Sequence, residues 1–317
     1  MTTQAVHPPA ATREAYGPTL LELARAGKDI VALDADLSAS TGGNKLASEF
    51  PQLWFTVGAA EANMISIAAG LAATGKTVYA ASFAVFMPGH CFDQIRVQIA
   101  QQRMNVKLVA SHGGISVGED GASAQAIEDL ALMTALPGMN VVVPCDVVET
   151  RAALLAAAED EQPWYIRVGR PKLPVVYTEG ARFELGKSDQ LRDGTDVTLI
   201  ACGLMLEPTL RAADALADEG IMARVLNMAS LKPLDEDAII RAAQETGAIV
   251  TAEEHNVIGG LGSAVARVLA LRQPAVMEQV GVTDTFGESG PWGELLKRYD
   301  LTANAVVNAA RQAIARK

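Results

Sequence analysis

Short apolar runs alternate with helical patterns along the first 168 residues. The runs are rich in β-branched residues and too short for helices, which is typical of strands. They lie at 29–36, 53–58, 77–82, 106–111, 140–145 and 164–168. Stretches rich in Ala, Leu and Met, such as 61–74 and 91–104, separate them. This alternation predicts an α/β fold with a mainly parallel sheet and helices on both faces.

The pattern breaks between 169 and 196, where Pro, Gly and charged residues follow no sustained period, as in a linker. The alternation then restarts, with strands expected at 197–202, 222–228 and 248–254 and helices at 207–220, 235–247 and 260–272. We therefore predict a first domain over 1–175, a linker over 176–194 and a second, smaller α/β domain over 195–317.

Composition narrows the functional classes. The net charge is −11 and no basic stripe is present, which argues against nucleic acid and anionic membranes as partners. The N-terminus lacks the pattern of a secretory signal, and no apolar run approaches the roughly 20 residues that span a bilayer. Three scattered cysteines argue against a disulfide framework, so we expect a cytoplasmic protein. The four histidines form no ligand pair, so we expect no metal site within this chain alone.

The stretch "FTVGAAEANMISIAAG" at 55–70 contains one ionisable side chain, Glu61. The segment reads as buried, and a buried carboxylate without a charged partner is costly to ionise, so Glu61 should hold or share a proton. One interpretation is a carboxylate at a helix N-terminus, stabilised by the macrodipole and capping amides. The other is an acid that faces a ligand nitrogen. Spacing alone leaves both open.

Two aromatic residues, Phe83 and Phe86, follow the end of the third predicted strand. Their three-residue spacing places both rings on one side if the chain turns helical there. Such a pair is either ordinary core packing or a slot that grips a flat heterocycle.

Two glycine-rich segments are candidates for ligand binding. In "SHGGISVGEDGASAQAIEDLAL" (111–132) a strand runs into a loop carrying His112, Glu119 and Asp120, and open α/β sheets bind ligands at such loops. In "GGLGSAV" (259–265) the third glycine of a dinucleotide loop is replaced by Val265, which favours a helix-start packing loop.

Taken in order, these pieces resemble the C-terminal half of transketolases, which is a pyrimidine-binding domain followed by a small C-terminal domain. The similarity covers nearly the whole chain, through "TREAYG", "DADLSAS", "VGAAEANMISIAAGLA", "ASFAVFM", "SHGGISVGEDGASAQAIEDLALM", "VVVPCDVVET" and "GRPKLP". The resemblance implies a thiamine-diphosphate fold. In that family the cofactor supplies the electron sink, while the protein supplies binding and proton management.

The resemblance also implies roles for the cofactor-facing residues. Glu61 would hydrogen-bond N1′ of the aminopyrimidine and promote its imino tautomer, which removes the C2 proton. Phe83 and Phe86 would flank the pyrimidine. Asp36 resembles the family acid near the thiazolium, and Leu37 beside it resembles the wedge that supports the bent cofactor.

On the substrate side, four residues align with positions that hold the phosphate of a sugar phosphate: Arg13, Ser40, His112 and Arg170. Arginines with hydroxyl and imidazole donors form a sensible anion site. The register leaves Arg167 open as an alternative to Arg170. Asp120 aligns with an acid that contacts a substrate hydroxyl, so the implied catalytic residues are Glu61, His112 and Asp120.

The chain departs from the family pattern at three points. Ala124 stands where transketolases usually carry a His that contacts the donor, and Gly89 replaces an aromatic near the cofactor ring. No G-D-G…N motif for metal and diphosphate is present in the 317 residues. The resemblance therefore implies a partner subunit, corresponding to the N-terminal section, that holds Mg²⁺ and the diphosphate. Thiamine diphosphate would be shared in an α2β2 heterotetramer.

The expected function is ketol transfer, by a transferase of aldehyde or ketone residues, from a phosphorylated or similarly anionic ketose to an aldose. Ala124 and the split architecture suggest a branched or sulfonated sugar. Alternatives are a 1-deoxyxylulose-phosphate-synthase-like subunit, a 2-oxoacid dehydrogenase E1-beta-like subunit, and a non-catalytic scaffold or regulatory subunit. The "VGEDGAS" and "DLSAS" segments favour transketolase, and retention of Glu61, Phe83, Phe86 and Asp120 speaks against a scaffold.

Overall fold

A computed structural model describes residues 8–317, so residues 1–7 of the predicted first domain lie outside the described part. The first sheet has seven strands in the order β10-β5-β6-β4-β3-β1-β2. They are β1 (Ile30–Asp34), β2 (Trp54–Thr56), β3 (Thr77–Phe83), β4 (Val106–Ser111), β5 (Asn140–Val142), β6 (Trp164–Arg167) and β10 (Ser230–Lys232). All neighbours are parallel except β10 with β5. The six strands predicted for this half of the chain and their mainly parallel pairing are confirmed.

Burial on both faces explains the uniform apolar runs of these strands. Every residue of β1 and β4 is buried, as expected for central strands of a parallel sheet covered by helices. The covering helices are α1 (Tyr16–Arg25), α2 (Ser38–Thr41), α3 (Asn44–Glu49), α4 (Glu61–Ala72), α5 (Phe86–Gln94), α6 (Asp129–Ala135) and α7 (Val147–Ala158). Helix α5 continues as a π-helical segment over Ile95–Ala100.

The second sheet has five strands in the order β12-β11-β8-β9-β7. They are β7 (Asp189–Arg192), β8 (Val197–Ala201), β9 (Ala223–Asn227), β11 (Ala248–Asn256) and β12 (Val276–Val282). Around it lie α8 (Leu206–Asp218), α9 (Glu236–Thr246), α10 (Leu261–Arg272), α11 (Trp292–Arg298) and α12 (Ala303–Ala315). The second α/β unit is therefore confirmed.

Three strands, β7, β10 and β12, were not predicted from the sequence. Strand β7 lies inside the segment that was predicted to be a linker, and it pairs antiparallel with β9. Its sequence "DQLR" is polar and partly exposed, so no apolar run marks it. Strand β10 has three residues, too few to show a period, and β12 mixes exposed polar with buried apolar positions.

The two sheets are joined through a common core and through direct contacts. Side chains from α4, α5 and α6 pack with side chains from α9 and α10 in one apolar cluster. Strand β10 leaves the second half of the chain to pair with β5, and Lys232 Nζ donates to the Thr134 carbonyl at 2.8 Å. Part of the core is therefore shared between the two halves, while a separate cluster lies within the first half.

The helices of residues 8–317 were also compared with the length and hydropathy that a bilayer requires. None of them is both long and apolar enough to cross a membrane.

Candidate active site

Glu61 is the first residue of α4, and its side chain is 13% exposed. Within the described residues its carboxylate makes one ionic contact, 3.9 Å from Oε2 to Nδ1 of His90. That distance exceeds a hydrogen bond, so the carboxylate oxygens remain free for an external donor. Glu61 lies in the first turn of α4, as the helix-N-terminus interpretation expects, but its carboxylate accepts no hydrogen bond from the first-turn amides, all of which lie in the described part of the chain.

Helix α4 also corrects the interpretation of 55–70 as a buried segment. Met64, Ile65 and Ala68 are fully buried against the sheet. On the opposite side Asn63, Ile67 and Gly70 are exposed, with Ile67 at 36%. A helix that is apolar on most of its circumference is normally buried, so the exposure of Ile67 is unusual for this helix.

Four rings form a row beside Glu61. Phe83, at the end of β3, stacks with Phe86, at the start of α5, at a centroid distance of 5.7 Å and an interplanar angle of 11°. His112 stacks on Phe83 at 3.9 Å, and His90 stacks on Phe86 at 5.3 Å. The predicted placement of both phenylalanines on one side is therefore observed. The four rings therefore form one continuous aromatic stack.

The loop after β1 is fixed by Asp34, a fully buried carboxylate. Its oxygens accept from the Leu37 amide at 2.6 Å and from Thr41 Oγ1 at 3.1 Å. Burial raises the pKa of Asp34, although these hydrogen bonds oppose the shift. Asp36 is exposed with a positive φ of 66°, so the fixed loop turns sharply at that residue.

Three basic side chains meet near the end of β4. Arg13 donates from Nη1 to the Ser40 carbonyl, which brings the N-terminal segment onto the β1 loop. Burial, followed by the charges of Arg13 and Arg170, lowers the pKa of His112 to about 3. Burial and then Arg170 also lower the pKa of Arg13. These mutual effects describe a cationic cluster around a neutral imidazole, which is suited to an anion.

The structure separates the two arginines that the sequence left open. Arg167 is 5% exposed and pairs through Nε with Asp129 Oδ2 at 3.0 Å, so it belongs to the buried junction between the sheets. Arg170 is one-third exposed, donates to the Val117 carbonyl, and lies 3.4 Å from Glu119 Oε2 and 3.9 Å from Asp120 Oδ2. Only Arg170 therefore lies at an accessible surface beside the glycine-rich loop.

Three further positions singled out in the sequence have well-defined surroundings. His112 itself has a positive φ of 58°, and its Nδ1 shares a hydrogen bond of 2.8 Å with Ser111 Oγ. Ala124 is 7% exposed, and its amide donates to the Gly121 carbonyl. A Cβ at Gly89 would meet no atom within 4 Å, so space is open beside the ring row.

The "GGLGSAV" segment starts a helix, as predicted. Glu253 accepts hydrogen bonds from the amides of Leu261 and Gly262, both at 2.7 Å, and so caps α10. The chain's own carboxylate thus takes the amides that a phosphate would need. Separately, no group of three or more His, Cys, Asp and Glu side chains within residues 8–317 could hold a metal ion.

Sequence reasoning missed Asp34, His90 and Glu254. Asp34 lies inside a predicted strand and gives no local sign of its role. His90 and Glu254 matter through partners that folding brings together, such as the contact of Glu254 with Ser116 across 138 positions of sequence. Only the run of charge at the end of a buried strand, "AEEH" at 252–255, is a signal that could have drawn attention to Glu254.

Comparison with known protein families agrees with this geometry of a free carboxylate beside stacked rings. A family model described as the transketolase pyrimidine binding domain matches residues 8–176, and one described as the transketolase C-terminal domain matches 186–306. The chain belongs to the transketolase family and contains its pyrimidine-binding and C-terminal domains.

Its relatives include chains named as transketolase subunits. The chain is 43% identical to the 6-deoxy-6-sulfo-D-fructose transketolase subunit of Clostridium sp. (strain MSTE9), over 96% of this chain and 95% of that one. It is 38% identical to an apulose-4-phosphate transketolase subunit of Phocaeicola vulgatus, over 95% and 96%. A solved structure described as a split gene transketolase, inactive beta4 tetramer, matches with a TM-score of 0.90 and 48% identity, covering 97% and 99%.

Proposed function

We propose that this chain is the C-terminal-section subunit of a thiamine-diphosphate-dependent transketolase. It would transfer a two-carbon ketol unit from a phosphorylated or similarly anionic ketose to an aldose acceptor. The observation that carries the proposal is the Glu61 carboxylate. It lies mostly buried at the head of α4 with no hydrogen bond from the described residues, next to the Phe83–Phe86 stack.

The residues present fit the aminopyrimidine half of the cofactor. The ring row and the open space beside Gly89 leave room for a flat heterocycle, and the free oxygens of Glu61 can meet a ring nitrogen. When bound, thiamine diphosphate supplies the electron sink for cleavage and formation of the bond next to a carbonyl. Glu61 would hold or share a proton at the pyrimidine N1′ position, Phe83 and Phe86 would orient the ring, and Asp36 and Leu37 would border the thiazolium.

The substrate end would lie toward the basic cluster. Arg13, Arg170 and neutral His112 supply donors for a phosphate or sulfonate, and the Ser40 hydroxyl lies on the neighbouring loop. Asp120, beside Arg170, is suited to accept a hydrogen bond from a sugar hydroxyl. The names of two relatives, a sulfofructose transketolase subunit and an apulose-4-phosphate transketolase subunit, support an anionic sugar.

A partner subunit would complete the site. The diphosphate and metal motif is missing from the sequence, and the exposed apolar side of α4 adjoins Glu61. We infer that an N-terminal-section subunit covers this side, holds Mg²⁺ and the diphosphate, and forms an α2β2 assembly in the cytoplasm. A related chain assembled only with itself is described as inactive, which supports the need for a partner.

The test is a reconstitution with paired variants. The purified chain is mixed with an N-terminal-section, diphosphate-binding transketolase subunit, thiamine diphosphate and Mg²⁺, and ketol transfer between sugar phosphates is measured. Glu61→Gln keeps the shape of the side chain but removes its acid, so we expect a loss of about a hundredfold or more in kcat. Unchanged activity of Glu61→Gln contradicts the mechanism, and pyruvate-dependent release of CO₂ by the wild-type pair contradicts the choice of reaction.

A further inference from the structure

Strand β11 ends in two neighbouring buried carboxylates with different partners. Glu253 and Glu254 are 2% and 4% exposed, and consecutive strand residues point to opposite faces. Glu253 stays within its own domain and caps α10 through two amides. Glu254 reaches into the pyrimidine-binding domain, where its Oε1 accepts from the Ser116 amide at 2.5 Å. Glu253 therefore makes contacts within its own domain, and Glu254 makes a contact between the domains.

Ser116 lies in the middle of the glycine-rich loop 112–121, which carries His112 and Asp120. Two glycines of this loop pack directly against residues of the C-terminal domain. A Cβ at Gly114, where φ is +81°, would overlap the carboxyl group of Glu254. A Cβ at Gly121, where φ is +79°, would overlap the hydroxyl of Ser289. The loop is thus shaped against the C-terminal domain as well as by its own turns.

A second connection runs beside the first. Gln125 Nε2 donates to the Glu288 carbonyl at 2.9 Å and also contacts the Ile115 and Gly118 carbonyls of the same loop. At the far side of the loop, the Val117 carbonyl accepts from Arg170. The loop therefore stands between C-terminal-domain residues on one face and the basic cluster on the other.

Two groups, Arg167 and the Ser116 amide, oppose the effect of burial on the Glu254 carboxyl group. Burial raises the pKa of Glu254, while Arg167 and the Ser116 amide oppose that rise. Arg167 also donates from Nη2 to the Glu254 carbonyl and to the Ala126 carbonyl, both at 2.9 Å. Removal of the carboxylate would leave the Ser116 amide without its acceptor at a buried position.

We infer that the C-terminal domain holds the substrate-binding loop of the neighbouring domain in place, with Glu254 as the positioning residue acting through the Ser116 amide. The inference rests on the proposed function only for the statement that the loop binds substrate. The mechanical part, that Glu254 orders residues 113–121, stands on the contacts alone and is testable in the isolated chain.

The experiment compares Glu254→Ala, Glu254→Gln and the matched control Glu253→Ala. Amide hydrogen exchange of the full-length isolated chain is followed by mass spectrometry. We expect exchange over 113–121 to rise about tenfold or more in Glu254→Ala and much less in Glu254→Gln, which retains an acceptor. Glu253→Ala should loosen the start of α10 and leave 113–121 protected. Equal effects of Glu253→Ala and Glu254→Ala on the loop overturn the inference.

In the reconstituted enzyme, Glu254→Ala should raise KM for the phosphorylated ketose about tenfold, with no change in thiamine diphosphate affinity. A general loss of folding would instead lower active-site concentration and leave KM unchanged. If Glu254→Ala does not fold, Glu254→Asp shortens the side chain by one methylene and withdraws the carboxylate from the Ser116 amide, and it should raise exchange over 113–121 where the matched Glu253→Asp does not; an unaltered loop in Glu254→Asp then overturns the inference. A wild-type pair without ketol transfer defeats the proposed function but leaves the exchange result to decide on Glu254.

Discussion

The environment of Glu61 turns an ordinary residue type into a candidate proton carrier. Its position at the first turn of a helix is common for carboxylates and explains little by itself. The stacked rings beside it, and the lack of a hydrogen-bond partner among residues 8–317, single it out. The carboxylate of a glutamate in this setting needs a hydrogen-bond donor from a ligand. The chemistry of Glu61 therefore depends on the ligand that binds beside it.

Arg170 provides a prediction about anion recognition. Arg170→Ala should lower kcat/KM for a phosphorylated ketose about tenfold to a hundredfold, because a charge-assisted contact is lost. An uncharged ketose should be affected little. Arg272→Ala, at an exposed arginine of α10, is the matched control and should leave both substrates unchanged. Equal losses for charged and uncharged substrates argue against an anion site here.

His112 provides a prediction about pH and stability. Its pKa of about 3 in the folded chain lies below the usual value of 6.5. Between these values the unfolded chain holds a proton that the folded chain does not, so acidification favours unfolding. The His112→Gln variant should therefore lose less unfolding free energy than wild type between pH 6.5 and pH 3, as measured by urea denaturation at each pH. Parallel pH curves for the two proteins contradict the burial of a neutral imidazole.

At the scale of elements, the proposed function gives α4 both a catalytic end and an assembly surface. Its N-terminus presents Glu61, its inner side packs in the core, and its outer side exposes Asn63, Ile67 and Gly70. Under the proposed function, a single short helix would link completion of the active site to partner binding.

Ile67 tests that link. Ile67→Lys should leave the isolated chain folded, because the side chain is already partly exposed, but should prevent assembly with the partner by burying a charge. Size-exclusion chromatography with light scattering measures the result. Met222→Lys changes an exposed apolar residue of the C-terminal domain in the same way and should not affect assembly. Normal assembly of Ile67→Lys removes α4 from the interface.

Elements with strong local patterns were predictable, and those defined by distant contacts were not. The central strands were predicted from their short apolar runs, and the Phe83–Phe86 pair was predicted from its spacing. Strand β7 is polar and β10 has three residues, so only their pairing partners define them. For the site, Glu61 stood out as a lone charge, whereas Arg167 and Arg170 could be distinguished only after burial was known.

At the scale of the whole molecule, the two domains act as one body. A shared apolar core, strand β10 and the Arg167–Asp129 pair connect them, and Glu254 extends the connection to the glycine-rich loop. We therefore expect the C-terminal domain to matter for substrate binding, although it lies outside the cofactor-binding sheet. In the proposed assembly, the partner subunit would hold the diphosphate and the metal.

Calorimetric titration with thiamine diphosphate and Mg²⁺ tests the central claim, a site shared between two chains, most directly. The titration is made on this chain, on its partner and on the mixture. We predict no tight binding by this chain alone, and one cofactor bound per pair of chains in the mixture, weakened in Phe86→Ala as ring contacts are lost. Tight, stoichiometric binding of the cofactor by this chain alone would contradict the account.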